Sequence, residues 1–270
     1  MAQMNDTWRI WTDRKAYETF FDHDWARRVG RRVQKTPFDD MVFKLCFQWK
    51  GAANTSALPF ILVDMCSSFS DGYINGQRPR PLILLDAIAG RLGDKMSLPQ
   101  DSDVRVKMLE GISEIDLELT QKLAMNPYSM DKEELWDGLV VNSELAMAIL
   151  MSQRMCYSNL FFGYEDFVVR VVKLVSGIDG VRSGRNFDRH LEDTFGKHWK
   201  HDLWQSEHIR VPRLVRHALV HAGGSETAEL QKVKHGFEVI GGRLQITVLD
   251  TRELFARLST TVEKLIDHLV

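Results

Sequence analysis

Four side chains suited to phosphate chemistry crowd into the stretch "RLVRHALVHAGG": Arg213, Arg216, His217 and His221. On a helix, Arg213, His217 and His221 stand at i, i+4 and i+8 and form one row, with Arg216 beside it. Val211, Leu214, Val215, Ala218 and Ala222 fall on the other side as an apolar back. Arginine offers a planar fork of permanent charge that matches a phosphate. Histidine titrates near neutrality and exchanges protons with an attacking hydroxyl or a leaving oxygen. Together they can cleave RNA without a metal. The 2′-hydroxyl attacks phosphorus, histidine moves the proton, and arginine stabilises the charged phosphorane. DNA lacks that hydroxyl. The same residue types also serve surface helices as salt-bridge partners and caps, and spacing alone leaves both readings open.

The row needs a helix to hold it. Pro212 suits a first turn and Gly223 an end, which predicts a helix of about ten residues. Upstream, residues 132–176 are nearly free of helix breakers, with Gly138 and Gly163 the interruptions. They predict one long helix or two nearly continuous ones, ending at Gly177. Leu145, Ile149, Cys156, Leu160, Phe167, Val171 and Leu174 mark its apolar stripe. Ser129, ahead of Glu133 and Glu134, suits its N-terminal end. Within it, Glu165 and Asp166 are acidic residues that can face the arginine or form salt bridges of their own.

Downstream, "FEVIGGRLQITV" alternates across a Gly-Gly pair and predicts a β-hairpin. The last segment predicts an amphipathic helix capped by Asp250 or Thr251, with Leu254, Leu258, Val262, Leu265, Ile266 and Leu269 facing the core. Before residue 127 the text reads as helices joined by turns. "DRKAYETFFDHDWARRVGRRVQK", "PLILLDAIAGRLG" and "SDVRVKMLEGISEIDLELTQKLAMNP" are the helical stretches, and "DGYINGQRPRP" is a loop by its glycines and prolines. The expected architecture is all-α with one small hairpin: an N-terminal helical domain over 1–127 and a helical bundle over 128–270.

Two other clusters compete for function. His190, His198, His201 and His208 lie in a polar stretch read as a loop with a short helix. The His198–His201 spacing suits a metal pair, but no cysteine or HExxH pattern accompanies it, so no metal is expected. Arg27, Arg28, Arg31, Arg32 and Lys35 form a basic ridge at helical spacing, suited to phosphate backbones or to pairing with nearby acids.

Composition narrows the class. Apolar residues are 44% of 270, with seven tryptophans and fourteen phenylalanines, enough for a sizeable core. A formal charge of −2 makes any anion-binding surface local. Cys46, Cys66 and Cys156 are far apart, which points away from a disulfide framework and toward a reducing cytoplasm. Neither a signal pattern nor a bilayer-length apolar run is found, so no membrane association is expected. No phosphate loop GxxxxGK[ST] occurs, and no cofactor is expected.

"RHALVHAGG" resembles the signature of the HEPN superfamily, the higher eukaryote and prokaryote nucleotide-binding domains. Arg216 matches its arginine, His217 its polar second position and His221 its histidine. The preceding long helix with "FFGYEDF" and the closing amphipathic helix extend the resemblance over roughly residues 134–270. It implies a helical bundle that homodimerises through this domain, joining two motif helices in one cleft. Many members are metal-independent ribonucleases in toxin–antitoxin, phage-defence or RNA-processing systems. The resemblance therefore implies RNA as substrate, and an antitoxin or regulatory partner. By the same carry-over, Arg216 contacts the scissile phosphate, His221 transfers the proton and His217 supports them. Arg213 and Glu165 complete the substrate-binding surround. A subfamily's tyrosine two residues past the histidine is replaced here by Gly223. A non-catalytic RNA-binding or interaction module, or a nucleotidyltransferase partner, is the alternative.

Overall fold

A computed structural model describes residues 10–77, 131–141, 145–184 and 186–270, with single positions between 90 and 118. The elements, in chain order, begin with a 3-10 turn at Arg14–Tyr17, then α1 (His23–Val33), α2 (Asp39–Ser56), α3 (Leu58–Gln77) and α4 (Lys132–Trp136). There follow α5 (Leu145–Ser176), α6 (Phe187–Lys200), α7 (Glu207–His221), the strands β1 (Glu238–Ile240) and β2 (Arg243–Gln245), and α8 (Val248–Leu269). The all-α class with one small hairpin is as expected.

The compact units divide elsewhere than at 127–128. Residues up to Phe60 pack with Val140–Val270 in one unit, and Ile61–Leu139 form a second. The reason is aromatic. Trp25 on α1 stacks on Trp49 of α2 at 5.5 Å, and Phe255 of α8 meets both rings edge-on. Large rings gain most when buried together, so the first helices complete the core under the last one. In the second unit, Leu135 and Trp136 are buried and Lys132 pairs with Asp64.

α5 is the axis of the first unit, and α2 lies closest to it. Their approach is set at Gly163, where a Cβ would stand 3.0 Å from Trp49 Nε1 and 3.1 Å from the Gln48 side chain. The Trp49 indole N–H donates to the Leu160 carbonyl at 2.9 Å, and Gln48 donates to Asn159. Gly163 thus does not interrupt the helix; it admits a neighbour. The stripe holds in the middle, where Cys156, Leu160, Phe167 and Val171 are buried, and fails at the ends, where Leu145 and Leu174 are exposed. Residues 132–176 form two helices, with 142–144 outside the described residues.

Several boundaries differ from expectation. α3 runs to Gln77, through two glycines read as loop; the prolines of that stretch, Pro79 and Pro81, come beyond its end, and glycine alone costs a helix about 1 kcal/mol. α4 takes Asp131 as N-cap. Ser129 and nearly all of "PLILLDAIAGRLG" lie outside the described residues, as does much of "SDVRVKMLEGISEIDLELTQKLAMNP". The polar stretch with four histidines is mostly helical: α6 and the turn after it carry His190, His198 and His201. α6 breaks at Gly196, whose φ of 85° ends one helical run and starts another. α8 is capped by Thr247, not Asp250 or Thr251. Asp250 sits three residues in and returns the bond to the Thr247 N–H at 2.7 Å, a capping box. The hairpin turns at Gly241 and Gly242, with φ 57° and 76°, the double left-handed geometry of a tight two-residue turn.

A valine at 163 must displace a buried indole and break its hydrogen bond. Gly163→Val is expected to cost roughly 1–3 kcal/mol, read from urea denaturation; an unchanged midpoint contradicts this packing.

Candidate functional site

α7 starts earlier than Pro212 suggests. Its N-cap is Ser206, and Pro212 stands inside the helix. Proline there cannot donate a backbone bond. Burial of Ile209, Val211, Pro212, Val215 and Ala218 offsets that loss. The helix is 15 residues long, and it ends where expected. Gly223 and Gly224 both take left-handed φ, 60° and 84°, and the Gly224 N–H donates to the Ala218 carbonyl. The back of the helix is apolar as read, although Leu214 and Ala222 are only half-buried.

The row itself splits by depth. Arg213 and Arg216 are half-buried, whereas His217 and His221 are exposed. Arg213 lays its guanidinium over the Trp204 ring at 4.6 Å from the centroid. Burial pushes its pKa down from the usual value, against the charges of Asp188 and Glu165, which pull it up. Arg216 Nη1 lies 3.8 Å from Glu165 Oε2 on α5, with the two side chains 23% and 12% exposed. That is an ion pair without a hydrogen bond, and Glu165 Oε2 is buried with no hydrogen-bond partner. Glu165 therefore faces the arginines, where it can orient them; its own charge repels a phosphate. Asp166 is bonded elsewhere, to Arg170 one turn on, at 2.7 Å.

The two imidazoles pair with each other, centroids 4.8 Å apart and planes 45° apart. One edge of α7 thus runs from anchored guanidinium groups to solvent-facing imidazoles.

The rival clusters resolve differently. Among the described residues no three His, Cys, Asp or Glu side chains gather as metal ligands. His198 contacts Asp202 at 3.5 Å. In the basic ridge, Arg27 pairs with Asp24, while Arg28 and Arg32 reach Glu263 and Arg32 also reaches Asp267 on α8. Two of the five ridge cations thus hold α1 on α8, and a third is paired within α1. A cavity of about 390 Å³ lies between α2 and α5, lined by Gln48, Thr55, Met155, Asn159 and others; none of the residues of the row lines it. Among the described residues no single helix is long and apolar enough to cross a membrane.

Three contacts had no signal in the spacing. Trp204 supports Arg213. The Tyr164 hydroxyl, next to Glu165, donates to the Leu203 carbonyl at 2.7 Å and ties α5 to the turn before α7. The hairpin docks on the turn after α7, with Leu244 N–H donating to Gly224 O at 2.8 Å.

No family model, curated protein or solved structure matches this chain.

Trp204 is 4% exposed and meets Phe187 edge-on at 4.7 Å. Trp204→Ala removes both that packing and the shelf under Arg213. A loss of roughly 3–5 kcal/mol is expected in chemical denaturation; a loss below about 1 kcal/mol excludes a supporting role.

Proposed function

We propose that the chain is a metal-independent endoribonuclease of the HEPN type, acting on RNA as a homodimer. The observation that carries the reading is the edge of α7: anchored Arg216 beside Glu165, followed by the exposed pair His217 and His221. A reaction centre of this kind needs a fixed cation for the phosphorane and a solvent-accessible group for the proton.

The 2′-hydroxyl attacks the adjacent phosphorus as its proton passes to an imidazole. The new P–O2′ bond closes a cyclic phosphate, the P–O5′ bond breaks, and the 5′-oxygen leaves with a proton. In this scheme Arg216 neutralises the phosphorane oxygens, Glu165 orients Arg216 and His221 moves the proton. His217 supports His221 through the ring contact, and Arg213 holds positive charge at the inner end. A second copy would bring its own α7 edge to the same strand. The further role as a toxin or phage-defence effector belongs to this reading, with an antitoxin as partner.

A non-catalytic RNA-binding or interaction module is favoured by one feature. Glu165 already offsets the charge of Arg216, as a purely structural ion pair would.

Incubation with transfer RNA and total RNA in EDTA separates the two. The wild type is expected to cleave and leave 2′,3′-cyclic phosphate ends, and Arg216→Ala and His221→Ala to lose at least about 100-fold in rate. Cleavage that survives both substitutions, or a wild type inert on every RNA, rejects the nuclease reading.

A further inference from the structure

The turn after α7 meets two arginines that the motif does not include, Arg154 by its side chain and Arg243 by its backbone. On one side, the Gly224 carbonyl accepts from Leu244 N–H, and Glu226 N–H donates to the Gly242 carbonyl at 3.2 Å. This pins β2 to the turn, with Ser225 bridged to Arg243. On the other side, the Arg154 side chain of α5 packs against Gly224. A Cβ there would stand 3.2 Å from its Nη1 and 3.5 Å from its Cζ, a tight approach at a φ of 84° that itself favours glycine. Arg154 Nη2 donates to the Leu244 carbonyl at 2.8 Å, while its Nε is buried without a hydrogen-bond partner.

The fold thus brings the cation of Arg154 up to the residue that follows Arg243. Burial first, and then the charge of Arg243, push the Arg154 guanidinium below its usual pKa. Among the described residues neither arginine has a carboxylate partner, unlike Arg28, Arg32 and Arg216. Two like charges held near each other repel, and a bound anion relieves the repulsion. Gly224 is three residues past His221. At about 3.6 Å per residue or less, it lies within roughly 11 Å of the exposed histidine.

We propose that Arg154 and Arg243 form a second phosphate site at the end of α7, gripping the RNA backbone beside the bond that is cut. Arg154, fixed by Leu244 and Gly224, supplies a stationary charge. Arg243, exposed on β2, supplies the fork that matches a phosphate. The identity of the ligand as RNA rests on the nuclease reading; the anion site does not.

The test uses the full chain and two probes. Sodium tripolyphosphate in a thermal melt reports the anion site, and a labelled 2′-O-methyl RNA 12-mer, which cannot be cleaved, reports strand binding. The wild type is expected to be stabilised by tripolyphosphate and to bind the oligonucleotide. Arg243→Gln, a surface change, is expected to lose the tripolyphosphate shift and weaken oligonucleotide binding about tenfold. Its log–log salt slope should fall by about 0.7, the value of one phosphate contact on a single strand. Arg154→Gln is expected to act in the same direction. If Arg243→Gln keeps both the shift and the affinity, the proposal is overturned, even if Arg216 and His221 prove essential for cleavage. A wild type that responds to neither probe overturns it as well. A tripolyphosphate shift that needs Arg243, in a protein that neither binds nor cuts RNA, supports the anion site and rejects the nuclease reading.

Discussion

The structure depends on how closely α2 can approach α5. Gly163 removes the one side chain that would hold them apart, and Trp49 fills the space with an indole that is fully buried and bonded to Leu160 O. Trp49 then carries Trp25 and Phe255, and through them α1 and α8. Two residues after Gly163 comes Glu165, on the part of α5 that meets the arginines of α7. One close contact therefore fixes both the core and the acid that faces the candidate site.

That site is graded by depth. Its inner end is stiff. Arg213 is held on Trp204, Trp204 is packed on Phe187, and Tyr164 ties α5 to the turn that carries Trp204. Its outer end consists of two exposed imidazoles that, among the described residues, contact each other. Held guanidinium groups and exposed imidazoles share one short helix because the side chains along its edge differ in burial. The paired glycines at its end continue the pattern. They stop the helix and leave a bare backbone face, which Arg154 occupies.

The placement of the candidate residues was legible where it depended on local periodicity. The row on α7, its apolar back and its glycine end follow from spacing of 3.6 residues per turn and from the φ that glycine tolerates. The Gly-Gly hairpin and the face of α8 were read the same way. Errors gathered where packing overrides local preference. Pro212 looked like part of a first turn, yet burial of Ile209 and Val211 extends the helix behind it. Gly163 looked like an interruption, yet the cost of a helical glycine is small beside the burial of Trp49. The histidine-rich stretch looked like loop because its side chains are polar, but Phe187 and Leu191 bury one face of α6.

By itself, then, the sequence determined the all-α class, the hairpin and the candidate residues of α7, because each follows from the conformational preference of a short window. Only the tertiary structure decided which residues share a unit, which arginines are free and what stands beside the motif. Arg27, Arg28 and Arg32 look as available to phosphate as Arg154 and Arg243. Acids from α1 and α8 engage the first three, whereas among the described residues no acid reaches the last two. Charge compensation acts through space, between residues far apart in the chain, so spacing along the sequence carries no record of it.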